Sequence, residues 1–452
     1  MKTRFLHQLF ALALLSVLTG SLAHMANAAP AYKVRTEFPG TDGTVYAVAV
    51  DAANQIVYFG GSFSMVGGSP RQNIAACSTV TGALLPWNPG CNASVYAIST
   101  GPDRVYVSGL FTEFGGEARN HVAAADLSGN VLPWNPDADG YVVAIAVTPP
   151  SVYLSGVFDK VGGATRQRFA NVNPESGAVM LWNPSAVSEA LSFSIVGNSI
   201  YTGGFFQSIG GTQREYLASI AGNGSLHSWN PGANDTVQIV HAEGDTIYVG
   251  GFFTQLAGTA RAYIGAVNAM GSLLPWAPIA NDTVTSIRTA GNRIYVGGYF
   301  KTINGIERLG LACVDSSGEL LPWNPPAESD VNAVAISGGT VYIAGDFMSI
   351  GGVARQGFAA IYDPALLPVP RVTVKGPKKL VTTRGSLPLR GTSRNAIRVE
   401  VKVGKAASRT AKGVASWTHR TKLKPGKNVI LVRSVNVADA TSRLSRVLIT
   451  RK

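Results

Sequence analysis

The chain has 452 residues, 46% of them hydrophobic and 14% charged, with 51 glycines, 24 prolines and abundant aromatics. Few charges and many turn residues point to an all-β protein, and three cysteines exclude a disulfide-framed scaffold. The net charge of +12 is uneven: residues 371–452 hold 21 Lys and Arg against 2 Asp and Glu, whereas residues 29–370 hold 15 against 24. That asymmetry argues for two domains with different partners.

In chain order, the first segment is a secretory signal peptide over residues 1–28. Lys2 and Arg4 form its basic end, Phe10 to Leu18 its apolar core, and Ala26-Asn27-Ala28 its cleavage site. The apolar core is too short to span a bilayer comfortably, and no later stretch is long and apolar enough to do so. The expected location is secreted or attached to the cell envelope.

Residues 29–368 are built on one repeat of about 47 residues, present seven times. A tyrosine follows Val or Ile at Tyr58, Tyr106, Tyr153, Tyr201, Tyr248, Tyr295 and Tyr342. A phenylalanine comes five residues later, from Phe63 to Phe347, and an arginine eight residues after that. These arginines are Arg71, Arg119, Arg166, Arg214, Arg261, Arg308 and Arg355. Each repeat reads as four short strands: a small, β-branched strand such as 45–50, the Tyr strand, an Ala-rich strand after a Gly-Gly turn, and a segment ending in Leu-Leu-Pro-Trp-Asn-Pro. Four strands in such a length make a propeller blade. The Trp position is filled six times, at Trp87, Trp134, Trp182, Trp229, Trp276 and Trp323. Either Tyr32–Phe38 or Leu366–Val369 could supply the strand that completes the last blade and closes the ring.

The pattern Ile-Tyr-Val-Gly-Gly-x-Phe, Gly-Gly, Arg, Ala-x-x-Asp, Gly-x-Leu resembles the delta-60 repeat family of bacterial β-propellers. Some fungal cortical surface proteins have similar repeats, and Kelch repeats are the nearest alternative, although they lack this Phe and Arg spacing. The resemblance implies a seven-bladed β-propeller in an exported or surface protein, and it brings no catalytic residues. Residues 369–452 resemble the immunoglobulin-like β-sandwich modules of bacterial secreted proteins, with Trp417 as a core residue and Pro364, Pro368 and Pro370 marking the linker.

The seven arginines have two readings, a cation ring for an acidic ligand or staples on loop carbonyls. A position needed identically in every repeat fits the staple better. The six tryptophans could stack on sugars, but a fixed aromatic in a repeat normally fills the repeat's own core. The four histidines of the mature chain, His121, His227, His241 and His419, lack metal spacing, and no catalytic motif is present. Loop acids Asp137, Asp139, Asp235, Asp282 and Asp330 could line one face and bind a cation, although loop Asp more often stabilises turns. Cys77 and Cys91 share a repeat and could form a disulfide; Cys313 reads as a small buried thiol. Asn92, Asn234 and Asn281 fit the glycosylation pattern and are discounted in a protein of bacterial type.

Lys375, Lys378, Lys379, Arg384, Arg390, Arg394, Arg398, Lys402 and Lys405 form a basic cluster suited to phosphates, sulfates or carboxylates. The expected function is a monomeric, non-catalytic binding or surface protein. Its propeller meets a protein or glycan partner, and its basic module anchors it to an acidic envelope polymer. No cofactor is implied. Alternatives are an extracellular polysaccharide-active enzyme or lectin with a site in the axial cleft, and a purely structural envelope component.

Overall fold

The computed structural model describes residues 31–452, so the expected signal peptide lies outside the described residues. The chain divides into two compact units, one over Val34–Tyr362 and one that takes in Asp363–Lys452. Among the described residues, no helix is long and apolar enough to cross a membrane.

The first unit is a succession of seven antiparallel sheets. Their first strands are Thr44–Asp51, Val95–Thr100, Val142–Thr148, Ala190–Val196, Val237–Glu243, Val284–Ala290 and Val331–Ser337. The Tyr strand lies beside each, and the Ala-rich strand beyond it. Successive first strands pack against one another, and the seventh returns to pack on the first. There Asn332 Nδ2 donates to the Val45 carbonyl at 3.0 Å. The glycines of the Tyr strand make this approach possible. A Cβ on Gly250 or Gly297 would stand 2.7 Å from the Val284 or Val331 side chain of the next repeat.

Two expected elements differ in detail. The Gly-Gly turn is a small hairpin of its own, as in Met65–Val66 with Ser69–Pro70. Gly67 and Gly68 both take positive φ there, the conformation of a turn whose twist matches its strands. The expected fourth strand shrinks to a single bridge, such as Leu84 with Cys77 or Leu226 with Ile220, in repeats with a proline before Trp and in those without one. In the seventh sheet the N-terminal strand Lys33–Val34 takes this place beside Phe358–Tyr362, and Arg35 N donates to Ala360 O at 2.8 Å. Leu366 instead ends a short 3-10 turn over Pro364–Leu366, capped by Asp363.

Between repeats the core is aromatic. Each Trp packs edge-on against the Tyr of its own repeat, as in Tyr106–Trp134 at 5.0 Å and Tyr248–Trp276 at 4.9 Å between ring centroids. In five of the six the indole N–H reaches the following repeat: Trp87 donates to Asp126 O, Trp134 to Asn173 O and Trp276 to Asp315 O, whereas that of Trp323 is buried without a partner. Trp134→Phe should therefore cost about 1–2 kcal/mol, since it orphans one carbonyl and keeps most of the apolar fill. Trp134→Ala should cost about 3–5 kcal/mol. Chemical denaturation of the two variants measures both.

Cys77 and Cys91 are separate buried thiols, as is Cys313. Alternation along one strand sends Cys77 with Ala75 into the cluster shared with the seventh repeat, while Cys91 joins Ala76 in the cluster shared with the second. Burial pushes both thiols up to about 12, so neither is a reactive thiolate.

The second unit has a three-stranded sheet of Arg371–Lys375, Ser386–Arg394 and Ser416–Lys422. A five-stranded sheet runs in the order Lys379–Thr382, Ser445–Arg451, Gly426–Val435, Arg398–Val403 and Arg409–Thr410. Trp417, Leu389, Val399, Ile430 and Val447 fill the core they share. Gly391 leaves room for the Trp417 ring, which would stand 2.6 Å from a Cβ at that position.

Candidate functional site

The seven repeat arginines have their terminal nitrogens on backbone. Each Nη1 donates to the carbonyl of the preceding residue, as Arg119 does to Ala118 at 2.8 Å and Arg308 to Glu307 at 2.8 Å. In six of them Nη2 crosses to the segment two residues before the aromatic: Arg71 to Leu85, Arg119 to Leu132, Arg166 to Met180, Arg214 to His227, Arg308 to Leu321 and Arg355 to Thr36. The last pair reveals a substitution that the pattern of tryptophans hid. Counting two residues on from Thr36, Phe38 stands where the seventh Trp would, and its ring meets Tyr342 edge-on at 5.8 Å.

Phe38 has no N–H to offer the first repeat, and Arg35 supplies the donors instead. Arg35 is 4% exposed, with its guanidinium between the rings of Phe38 and Tyr362 at 4.6 and 4.7 Å. It donates to the carbonyls of Thr79 at 2.7 Å and Val80 at 3.0 Å, to Thr340 Oγ1 at 3.3 Å and to Glu37 at 2.8 Å.

The loop acids separate into turn clamps and one cluster. Asp139 accepts the N–H groups of Asp159 and Lys160, as Asp42, Asn92, Asn234 and Asn281 do in their own repeats. Asp137 accepts from Asn120, and Asp235 accepts the N–H of Thr236. Among the described residues, no group of three or more His, Cys, Asp or Glu is placed to hold a metal ion.

The cluster lies where the repeat loses its uniformity. The residue before each repeat Phe donates its N–H to the chain leading into the first strand, as Phe205 does to Glu189, Tyr299 to Thr283 and Asp346 to Asp330. At this level the side chains differ from repeat to repeat: Leu110, Phe205, Phe252 and Tyr299 are all more than a third exposed, and Asp346 follows in the last repeat. A bulge in each first strand adds Tyr46 and Tyr96, whose rings meet edge-on at 5.6 Å. Burial, then Asp346 and Asp282, hold the Asp330 carboxyl above its ordinary range. Burial, then Asp330, Asp282 and Tyr46, raise the Tyr299 phenol; burial, then Tyr46 and Tyr141, raise that of Tyr96. Residues far apart in sequence thus share one electrostatic neighbourhood of aromatic faces and carboxylates. Such a surface can stack on a sugar ring or hold a cation. Sequence reading named Asp282 and Asp330 but missed the tyrosines; the signal was the variable position in Gly-Gly-x-Phe for Tyr299, and the residue after the first valine of the first strand for Tyr46 and Tyr96.

The raised Asp330 has a testable sign. Its folded pKa lies above the unfolded value, so the protonated form favours folding, and that contribution is lost as pH rises through the folded pKa. Asp330→Asn should melt higher than the parent at about pH 7, and the two midpoints should converge near pH 3. Thermal melts across that range decide it, and equal midpoints at pH 7 would refute the coupling.

The basic residues of the second unit occupy several places. Arg398 is engaged by Glu400 and Asp439, both at 3.0 Å, and Arg433 shares Glu400 at 2.9 Å. Lys402 lies on the five-stranded sheet, Lys405 in the turn after it, Lys379 on that sheet's edge strand, and Lys378 and Arg384 flank the edge strand. Lys375, Arg390 and Arg394 share the exposed face of the three-stranded sheet with Arg371, Arg420 and Lys422, which sequence proximity did not group with them. Register sets Arg371 opposite Arg394 and Lys375 opposite Arg390. No acid stands on that face, and hydroxyls of Thr373, Thr392, Ser416 and Thr418 fill the spaces between the cations. Like charges directly opposite destabilise a sheet, so this arrangement lowers the module's own stability.

A family model described as a β-propeller domain of unknown function, DUF5122, matches residues 292–320. Among solved structures, the extracellular domain of the hybrid two component system BT4673 from B. thetaiotaomicron is similar at 9% identity, with a TM-score of 0.50 over 94% of this chain and 59% of that one. The computationally designed Ika8 protein is similar at 15% identity, with a TM-score of 0.46 over 73% of this chain and 99% of that one. No curated protein matches by sequence. The chain is an all-β protein with a β-propeller fold.

Proposed function

We propose that this is an exported, non-catalytic binding protein of the delta-60 repeat type. A closed seven-bladed propeller over residues 29–368 serves as the interaction scaffold. A basic, immunoglobulin-like sandwich over residues 369–452 anchors it to an acidic polymer of the cell envelope. The seven sheets and the return of the last first strand onto the first support the ring. Two sheets around Trp417 support the sandwich. The extracellular character of the BT4673 domain supports export.

One observation carries the anchoring role: Arg371, Lys375, Arg390 and Arg394 face one another in two like-charged pairs on an open sheet face without an acid. A face that costs the module stability is explained by a polyanion that neutralises it. Binding of the mature protein to a sulfated polysaccharide across a salt series tests it. Salt-sensitive binding that a chain ending at Tyr362 lacks supports the anchor; equal binding by both chains overturns it.

A second reading, a lectin or polysaccharide-active enzyme, is favoured by the non-repeating group of Tyr46, Tyr96, Tyr299, Asp282, Asp330 and Asp346. Its sign is binding of a neutral glycan that persists at high salt and is lost in Tyr46→Ala.

A further inference from the structure

The cations on the open face of the second unit extend beyond the two like-charged pairs, and they follow a line. Alternation decides which side chains share that face. Leu389 and Trp417 turn into the core, so Pro388, Arg390, Thr418 and Arg420 turn out. Register then arranges the outward positions in rows across the three strands. Arg371 stands opposite Arg394 in the first row, and Lys375 opposite Arg390 in the third. Arg390 is also opposite Thr418, so the fourth row holds Pro388 with Arg420 and the fifth Ser386 with Lys422. The second row carries hydroxyls alone, from Thr373, Thr392 and Ser416.

The line runs along the central strand from residue 394 to residue 386, a span of ~27 Å. It is narrow, since the outer strands of a three-stranded sheet lie only ~10 Å apart. It also turns: successive strands of a sheet rotate by roughly 20–25°, and the line starts on one edge strand and ends on the other. No acid interrupts it, because Glu400 and Asp439, the acids of residues 371–452, both pair with Arg398 of the five-stranded sheet. A flat membrane or a stiff duplex can rest on only part of a narrow, turning line, whereas a flexible single chain can follow all of it.

We propose that this face is a track for one extended chain of an acidic polysaccharide, lying along the strands from the Arg371–Arg394 pair to Lys422. Arg420 and Lys422 hold the far end of that chain, which the two like-charged pairs do not reach. The proposal rests on the anchoring role proposed above and adds the form of the partner, its direction on the sheet and its least length.

Heparin oligosaccharides of increasing, defined length are the probe. Affinity for the protein should climb with each added disaccharide until the oligomer spans ~27 Å, and then level off. Arg420→Gln and Lys422→Gln together should lower the affinity of the longest oligomers about 25-fold at ~0.1 M salt and bring the plateau in at a shorter length, while the shortest oligomers bind almost as before. Both side chains are exposed, so the double variant should melt as the parent does. Should it fail to fold, Lys422→Gln alone is read in the same way. An affinity that follows total charge without a plateau, or a variant that weakens every length alike, overturns the track and leaves the anchor standing. Tighter binding to vesicles of anionic lipid or to duplex DNA than to the longest oligomer also overturns the track. Binding to none of these polyanions would remove the anchoring role itself, and the track with it.

Discussion

Arg35→Ala is expected to destabilise the protein by about 3 kcal/mol, which is large for the removal of one side chain. Two effects add. The guanidinium donates to Thr79 O, Val80 O and Thr340 Oγ1, and charged hydrogen bonds are worth roughly 1.5–3 kcal/mol each before the loss is shared. Its removal also opens the space between Phe38 and Tyr362, both stacked on it. The Glu37 partner is 43% exposed, so that ion pair adds little. Arg35→Lys should recover only a fraction, because a single ammonium cannot bridge carbonyls of Thr79 and Val80 while stacking flat between two rings. Urea denaturation gives the magnitude, and limited proteolysis gives the location: the strand at Lys33–Val34 should be released first in Arg35→Ala. A variant within about 0.5 kcal/mol of the parent would mean that the pairing of Lys33–Val34 with the seventh sheet does not depend on this residue.

That latch also marks the limit of what could be read from sequence. The period was plain because seven copies of Tyr, Phe and Arg recur at fixed offsets, each copy making the same contacts. The N-terminal strand that joins the seventh sheet has no copies to compare. Lys33–Val34 is a strand of two residues, and Phe38 replaces Trp while Arg35, three positions away, donates instead to the neighbouring carbonyls of Thr79 and Val80. Neither exchange preserves a letter of the repeat. The tyrosines Tyr46, Tyr96 and Tyr299, which join Asp282 and Asp330, escaped for the opposite reason: a repeat is recognised by sameness, whereas these positions are linked by differing. On the second unit, nearness in sequence gathered Arg398 with Lys375, but strand pairing gives Arg398 to Glu400 and Asp439 and brings in Arg420 from a distant strand. Pairing register is a non-local property that no run of charges records.

The cationic face makes the largest functional prediction. Replacing Arg371, Lys375, Arg390 and Arg394 together by Gln should lower affinity for a sulfated polysaccharide by about three orders of magnitude at ~0.1 M salt. The estimate follows from counterion release: each neutralised charge contributes about 0.7 to the slope of log affinity against log salt on a flexible polyanion, so four should remove about three units of slope. Replacing Lys402 and Lys405 should change the slope little, since neither shares that sheet. Stability should move the other way. Relieving Arg371 against Arg394 and Lys375 against Arg390 should stabilise the module by a few tenths to ~1 kcal/mol per pair. A variant that binds worse yet melts higher has lost an interaction surface rather than its fold. If instead binding is unchanged, or falls only together with the melting temperature, the face is a solvated sheet surface and the anchor must be sought elsewhere on the chain.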